Sequence, residues 1–223
     1  MSSAPRRTED LELRFRILSA EYSHLTSLLS STWSTSAART NLFFVAVSAA
    51  GVALALLSNG QVTRTFLILT LSILLLILVM GLVALSRMLH ANRESIRQLQ
   101  SIIRIRRFFV ELDPGSAAYI TLPTHDDRLG LFGLHDARSS FGAMTQLPAA
   151  SMATLVALVD AFVTAALVGT VWMLVFGGDP MNAVIAAGIS LGLATVAYQG
   201  WVYRDLMQLR RALEVRFPTP KGR

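Results

Sequence analysis

The chain has 223 residues, of which 53% are hydrophobic and only 15% are charged, and its mean hydropathy is +0.52. This balance excludes an ordinary soluble domain. The chain has no cysteine, so disulfides and cysteine-ligated metals are excluded as well. Its net charge of +6 comes almost entirely from arginine. In a membrane protein such an excess reports orientation first, so we predict no nucleic-acid partner.

The first predicted element is an amphipathic helix with Thr8 as its N-cap. Apolar residues recur along it at intervals of three and four, the period of one helix face. They are Leu11, Phe15, Leu18, Tyr22, Leu25, Leu29 and Trp33. The opposite face mixes acidic and basic residues, unlike that of a helix lying on a lipid surface. We therefore predict that this helix packs on another helix.

Four apolar stretches follow, each long enough to cross a hydrocarbon core of about 30 Å. They cover residues 40–57, 66–86, 149–176 and 181–203. Turn-forming sequence separates the members of each pair, which predicts two transmembrane hairpins. The second stretch is almost all Leu, Ile and Val, which suits a peripheral helix, whereas the last two are rich in alanine and glycine.

The second stretch continues without a proline into arginine-rich amphipathic sequence. We predict one long helix over 66–112, half in lipid and half in the cytoplasm. Asp113-Pro114-Gly115 ends it, because proline cannot continue a helix and glycine relaxes the turn.

The distribution of basic residues predicts the orientation. Arg64 is the only basic residue in the two hairpin turns, so the N-terminus, the middle connector and the C-terminus are predicted to be cytoplasmic. The predicted protein is an all-α, multi-pass protein of the cell inner membrane, with amphipathic cytoplasmic helical extensions. Its predicted segments are a cytoplasmic helix at 1–36, hairpin 1 at 37–87, a cytoplasmic helix and connector at 88–148, hairpin 2 at 149–203, and a cytoplasmic helix and tail at 204–223.

Asp160 is the only carboxylate inside a predicted span. Such a group costs on the order of several kcal/mol unless it is partnered. Counting about 20 residues back from Phe176 places Asp160 one helical turn inside the cytoplasmic boundary. Arg39, Arg87 and Arg204 lie at the same boundary on the other spans. An ion pair that fixes helix register is the favoured interpretation, and a role in a pore or proton relay is the alternative.

Small and hydroxyl-bearing residues punctuate the last two spans. Gly188 and Gly192 form a G-x-x-x-G pattern, which predicts close helix packing. Ser and Thr in membrane helices more often bond to their own or a neighbouring helix than line a conduction path, and we interpret Thr164, Ser190 and Thr195 in this way.

Acidic residues and histidines gather in the connector as H-D-D and H-D. They are His125, Asp126, Asp127, His135 and Asp136. Their donors suit Zn or Mn, but the spacing matches no established metal motif. Aspartates that cap and turn the chain are the favoured interpretation, with His125, Asp127 and His135 as ligands in the metal alternative. We predict no cofactor.

Five arginines form a basic ladder below the second span. They are Arg93, Arg97, Arg104, Arg106 and Arg107. We predict contact with anionic lipid headgroups, worth about 1 kcal/mol for each residue. A phosphate-bearing ligand is the alternative. The chain has no Walker A run, dinucleotide fingerprint, G-x-S-x-G or H-E-x-x-H motif, so we predict that it is not an enzyme.

The phrase Ile103-Arg-Ile-Arg-Arg-Phe-Phe-Val-Glu-Leu-Asp-Pro-Gly, with Glu21-Tyr-Ser-His-Leu earlier, resembles a group of small uncharacterised bacterial multi-span membrane proteins. The resemblance covers about the first 130 residues and implies no activity. Cytoplasmic helices beside paired spans also resemble the two-span SLATT-type effectors, which are proposed to form pores in bacterial nucleotide-signalling and conflict systems. Four spans and a long connector depart from that pattern.

Two functions are compatible with these features. The first is a homo-oligomeric pore or ion channel with a cytoplasmic helical regulatory region. The second is a non-catalytic scaffold or accessory subunit that binds a protein partner through its cytoplasmic helices. A pore should place Thr164, Ser190 or Thr195 on a wetted face, whereas a scaffold should bury them between helices.

Overall fold

A computed structural model of the chain describes residues 4–58, 62–127, 130–131, 152–177 and 179–220. Within these ranges the protein is all-helical and has no strand. Its four long helices are α1 (Ala4–Leu57), α2 (Arg64–Leu112), α3 (Met152–Phe176) and α4 (Pro180–Arg211). A short 3-10 helix, Pro114–Ala118, follows α2.

Each of the four long helices is sufficiently long and apolar to cross a membrane. The most apolar window belongs to α2, where leucine, isoleucine and valine dominate. The all-α prediction and the prediction of four apolar helices are therefore confirmed for the described part of the chain.

The predicted helix over 66–112 is confirmed as a single element, because α2 is continuous to Leu112. The Asp113 side chain then accepts a hydrogen bond from the Gly115 N–H at 3.1 Å and caps the 3-10 helix that begins at Pro114. The predicted N-cap at Thr8 is wrong, because α1 begins at Ala4. Proline is tolerated in the first helical turn, where its missing N–H would have no partner, so Pro5 does not delay the helix.

The described residues divide into two compact units. The first, here called the extension unit, takes its residues from Met1–Ser34, Ala91–Ala143 and Ala212–Arg223. The second, the span unit, takes its residues from Thr35–His90 and Met144–Arg211. Distant parts of the sequence thus contribute to each unit.

The core of the span unit is an apolar cluster to which all four long helices contribute. Its fully buried side chains include Leu85 of α2 and Val156 of α3, and Phe43 and Val202 join it from α1 and α4. α3 packs closely on α4, since a Cβ added at Gly169 would lie 3.4 Å from the Ala187 Cβ. Small residues on both helices permit this approach.

The core of the extension unit is a smaller apolar cluster. Leu25 of α1 packs there with Ile102 and Ile105 of α2, and the Tyr22 and Phe109 rings lie 6.2 Å apart beside them. The middle of the predicted apolar stripe on α1 therefore packs on another helix, as predicted. Leu11 and Trp33, by contrast, remain exposed.

We expect Ile102→Ala to destabilise the extension unit by about 2–5 kcal/mol, because this side chain is 2% exposed and its loss leaves a cavity. Ile17→Ala removes the same atoms from a side chain that is 58% exposed and should change stability by less than about 0.5 kcal/mol. Reversible unfolding in mild detergent measures both. Equal effects of the two substitutions would contradict the assignment of this core.

Candidate functional site

Asp160 lies in the first half of α3 and is fully buried in the span unit. Its neighbours along the same helix, Ala157 and Ala161, are also completely buried, so small side chains surround the carboxylate on its own helix. Neither carboxylate oxygen has a hydrogen-bond partner among the described residues. A carboxylate in this position is costly, because an apolar interior replaces none of its hydrogen bonds to water.

The Asp160 side chain lies directly against the backbone of α2 at Gly81. A Cβ added at Gly81 would overlap Asp160 Oδ1 and would lie 2.7 Å from Oδ2. Glycine is therefore the residue that leaves space for the carboxylate at this crossing. Gly81 was missed by the sequence analysis, although a lone glycine within an Ile-, Leu- and Val-rich helix is a local signal for a close approach.

The predicted ion pair of Asp160 is not formed within the described ranges. Arg39, Arg87 and Arg204 remain exposed, and no guanidinium reaches the carboxylate. The physical reason is that drawing a guanidinium into the apolar core costs several kcal/mol, whereas these arginines stay at the surface of the span unit. Asp160 consequently differs from an ordinary structural ion pair.

Several hydroxyls in the spans bond to their own helices. Thr164 Oγ1 donates to the Asp160 carbonyl at 2.7 Å and lies 3.3 Å from the Tyr198 hydroxyl of α4. Ser190 Oγ donates to the Ala187 carbonyl at 2.9 Å. Thr164, Ser190 and Thr195 are all half-buried. These bonds satisfy the hydroxyls of Thr164 and Ser190 locally, whereas the buried Thr70 hydroxyl of α2 has no hydrogen-bond partner among the described residues.

The predicted close packing at Gly188 and Gly192 is not formed with any of the described residues. A Cβ at either position would meet no heavy atom within 4 Å among the described residues. The close contact between α3 and α4 falls instead at Gly169. The interpretation of G-x-x-x-G as a helix-packing pattern therefore stays a prediction.

In the extension unit, Asp126 and Asp127 form a cluster here called the acidic clasp. Asp126 is fully buried and accepts hydrogen bonds from Arg104 Nε at 2.7 Å and from the Phe217 N–H at 2.7 Å. Asp127 accepts from the Thr219 N–H at 2.7 Å. The clasp thus holds the 214–219 segment against the connector.

The two aspartates of the H-D-D sequence, Asp126 and Asp127, form hydrogen bonds with backbone groups. The Asp126 N–H donates to the Phe217 carbonyl at 3.1 Å, and Asp127 accepts from the Gly130 N–H at 2.8 Å, a cap of the next turn. Of the candidate metal ligands, His125 is half-buried, whereas His135 lies outside the described residues. Among the residues that are described, no group of three or more His, Asp or Glu side chains could hold a metal ion.

The surroundings of the clasp lower the pKa of both aspartates. Burial by itself raises the pKa of Asp126, but the hydrogen bond from Arg104 and those from the Phe217 and Arg216 N–H groups outweigh it. Burial likewise raises the pKa of Asp127 less than its hydrogen bonds from Gly130 and Thr219 lower it. The stabilisation is complete above the ordinary pKa of 3.8 and is lost as the pH falls through the lower folded-state pKa.

The five-arginine ladder does not form one surface. Arg104 pairs with Asp126, and Arg107 Nε pairs with Glu111 Oε1 at 2.7 Å. Arg106 is buried and donates to the Pro123 carbonyl at 3.3 Å. Arg104 and Arg106 thus make contacts inside the extension unit, and the headgroup contact of the ladder stays a prediction. Arg97 remains exposed, and Arg93 has an interaction within the chain.

No protein-family model matches this chain, and comparisons with curated proteins and with solved structures found no match. Function is therefore inferred from the geometry of the chain itself.

We expect Gly81→Ala to destabilise the span unit by about 1–3 kcal/mol, since the new methyl group overlaps the Asp160 carboxylate. In the double variant Gly81→Ala/Asp160→Ala the overlap disappears, so part of that loss should be recovered. Gly51→Ala is the matched control, because a Cβ there meets no heavy atom within 4 Å. Unfolding in detergent micelles measures the coupling. Additive effects of the two substitutions would contradict the contact.

We expect Asp126→Asn to loosen the 214–219 segment at neutral pH, because the charged acceptor for Arg104 and for two backbone N–H groups is lost. Amide exchange at Phe217 should accelerate about thirtyfold, the effect of about 2 kcal/mol. Glu214→Gln, which alters an exposed carboxylate, should have little effect. After correction for intrinsic exchange rates, the wild-type segment should loosen progressively as the pH falls from 3.8 through the lower folded-state pKa of Asp126. Unchanged protection in Asp126→Asn would contradict the clasp.

Proposed function

We propose that this protein forms an ion-conducting pore in the cell inner membrane as a homo-oligomer, and that Asp160 governs conduction. In this proposal the four apolar helices form two transmembrane hairpins with both termini in the cytoplasm. The extension unit is then a cytoplasmic regulatory region. No catalytic activity and no cofactor belong to the proposal.

The observation that carries the proposal is the unpartnered carboxylate of Asp160. A carboxylate within a membrane span is expensive, and a structural role would be expected to supply a cation or hydrogen-bond donors. Among the described residues neither oxygen has such a partner. Instead the chain provides a glycine on the facing helix that leaves space for the group. Ionisable residues retained in this way commonly belong to ion or proton pathways.

The exposure of the helices supports an assembly. Of the most apolar window of α3, 44% is buried within one chain, whereas the windows of α1, α2 and α4 are 11%, 17% and 6% buried and leave faces open to lipid or to another copy. The open face of α4 carries Gly188 and Gly192, which allow close approach of another helix. In this proposal the small-residue helices α3 and α4 lie inside the assembly. The Leu-rich α2 then faces lipid.

The decisive experiment is ion flux into liposomes that contain purified protein at equal density and equal oligomeric state. We expect wild-type protein to conduct and Asp160→Asn to change conduction or cation selectivity several-fold. Asp179→Asn is the matched control, since this exposed carboxylate in the α3–α4 turn should leave the flux unchanged. Equal flux through wild type and Asp160→Asn would contradict the role of Asp160.

A scaffold is the second candidate, and the surface of the extension unit favours it. Leu13 and Ile17 are each 58% exposed, and Trp33 is 64% exposed. Exposed apolar side chains of this size suit contact with a protein partner. Assembled protein that conducts no ions, with either residue at position 160, would favour the scaffold over the pore.

A further inference from the structure

A groove between α1 and α2 lies within the span unit and has a volume of about 290 Å³. Phe43 and Met88, which are buried, form its floor. Its sides are the exposed apolar residues Leu42, Val79 and Val83. The groove is therefore apolar along most of its length and open on one side.

Two cations stand at the polar part of the groove. Arg39 of α1 and Arg87 of α2 both line it, together with Ser36 and Thr40. No acidic residue is among the lining residues. Within the described ranges no carboxylate pairs with either guanidinium. The groove thus offers two positive charges, which no carboxylate of the described residues pairs with, beside an apolar surface.

The sequence places both cations at one boundary of the predicted spans. Arg39 directly precedes the uncharged residues 40–57, and Arg87 directly follows the uncharged residues 66–86. Val79 lies eight residues before Arg87, which is about 12 Å along a helix. The apolar part of the groove therefore extends from the headgroup level into the depth of the acyl chains.

We propose that this groove binds one anionic phospholipid of the surrounding membrane. Its phosphate pairs with Arg39 and Arg87, and one acyl chain lies along Leu42, Val79 and Val83. Arginine binds phosphate oxygens in bidentate geometry. In a zwitterionic headgroup a cationic group partly neutralises the charge of the phosphate, so the pairing with arginine is weaker. A free phosphate or a nucleotide would leave the apolar wall unused. This inference does not depend on whether the protein conducts ions.

The test is a titration of the purified full-length protein in neutral detergent, followed by native mass spectrometry. Phosphatidylglycerol and phosphatidylcholine with the same acyl chains are the two probes, and inorganic phosphate is the competitor. We expect tight binding of phosphatidylglycerol, weaker binding of phosphatidylcholine and no displacement by phosphate. Equal affinity for the two lipids, or displacement by phosphate alone, would overturn the proposal.

Variants locate the binding. Arg39→Gln/Arg87→Gln should weaken phosphatidylglycerol binding about thirtyfold, the effect of two basic groups near a membrane surface. Arg64→Gln/Arg211→Gln removes the same charge from exposed positions outside the groove and should have less than about a twofold effect. Equal losses in the two double variants would overturn the site and indicate general attraction to a positive surface.

Two further variants test the contact with the acyl chain and the pairing with the headgroup phosphate separately. Ala84→Phe fills the apolar wall and leaves both arginines in place, so it should also weaken phosphatidylglycerol binding. Arg39→Lys/Arg87→Lys keeps the charge but loses the bidentate geometry, so it should weaken binding less than Arg39→Gln/Arg87→Gln does. Full affinity in Ala84→Phe would overturn the role of the acyl chain, and complete loss in the lysine variant would overturn the charge pairing.

Discussion

The contact between the Asp160 carboxylate and the Gly81 backbone is the constraint on which the span unit depends. A charged or strongly polar group is buried in an apolar cluster without a partner in the described structure. The carboxylate occupies the place that a side chain at Gly81 would take. Alanines beside Asp160 keep the rest of that helix surface small. Helix packing here is thus built around one costly group, and such a cost is usually retained for function.

The extension unit treats its buried carboxylate in the opposite way. Asp126 is as fully buried as Asp160, yet its oxygens accept hydrogen bonds from Arg104, Phe217 and Arg216. Those bonds compensate for the loss of water and tie the 214–219 segment to α2 and to the connector. A satisfied carboxylate stabilises structure, so the contrast between the two aspartates separates a structural group from a candidate functional one.

The arginines divide along the same line. Arg104 and Arg106 donate hydrogen bonds to groups inside the extension unit. Arg39 and Arg87, by contrast, line an apolar groove and have no acidic partner in the described part of the chain. The net charge alone treats all of them as equivalent. Only their surroundings show which charges remain available to an external anion.

The sequence by itself determined the features that depend on local pattern. Length and hydropathy established four apolar helices, and proline chemistry established the end of α2 at Leu112, because each effect acts over adjacent residues. Asp127 caps the turn at Gly130, as the capping interpretation expects, whereas Asp126 bonds to distant residues and Asp136 lies outside the described residues. The tertiary structure alone decided the contacts of Asp160 with Gly81 and of Asp126 with Phe217. These residues are far apart in the chain, and periodicity identifies a helix face without identifying what packs against it.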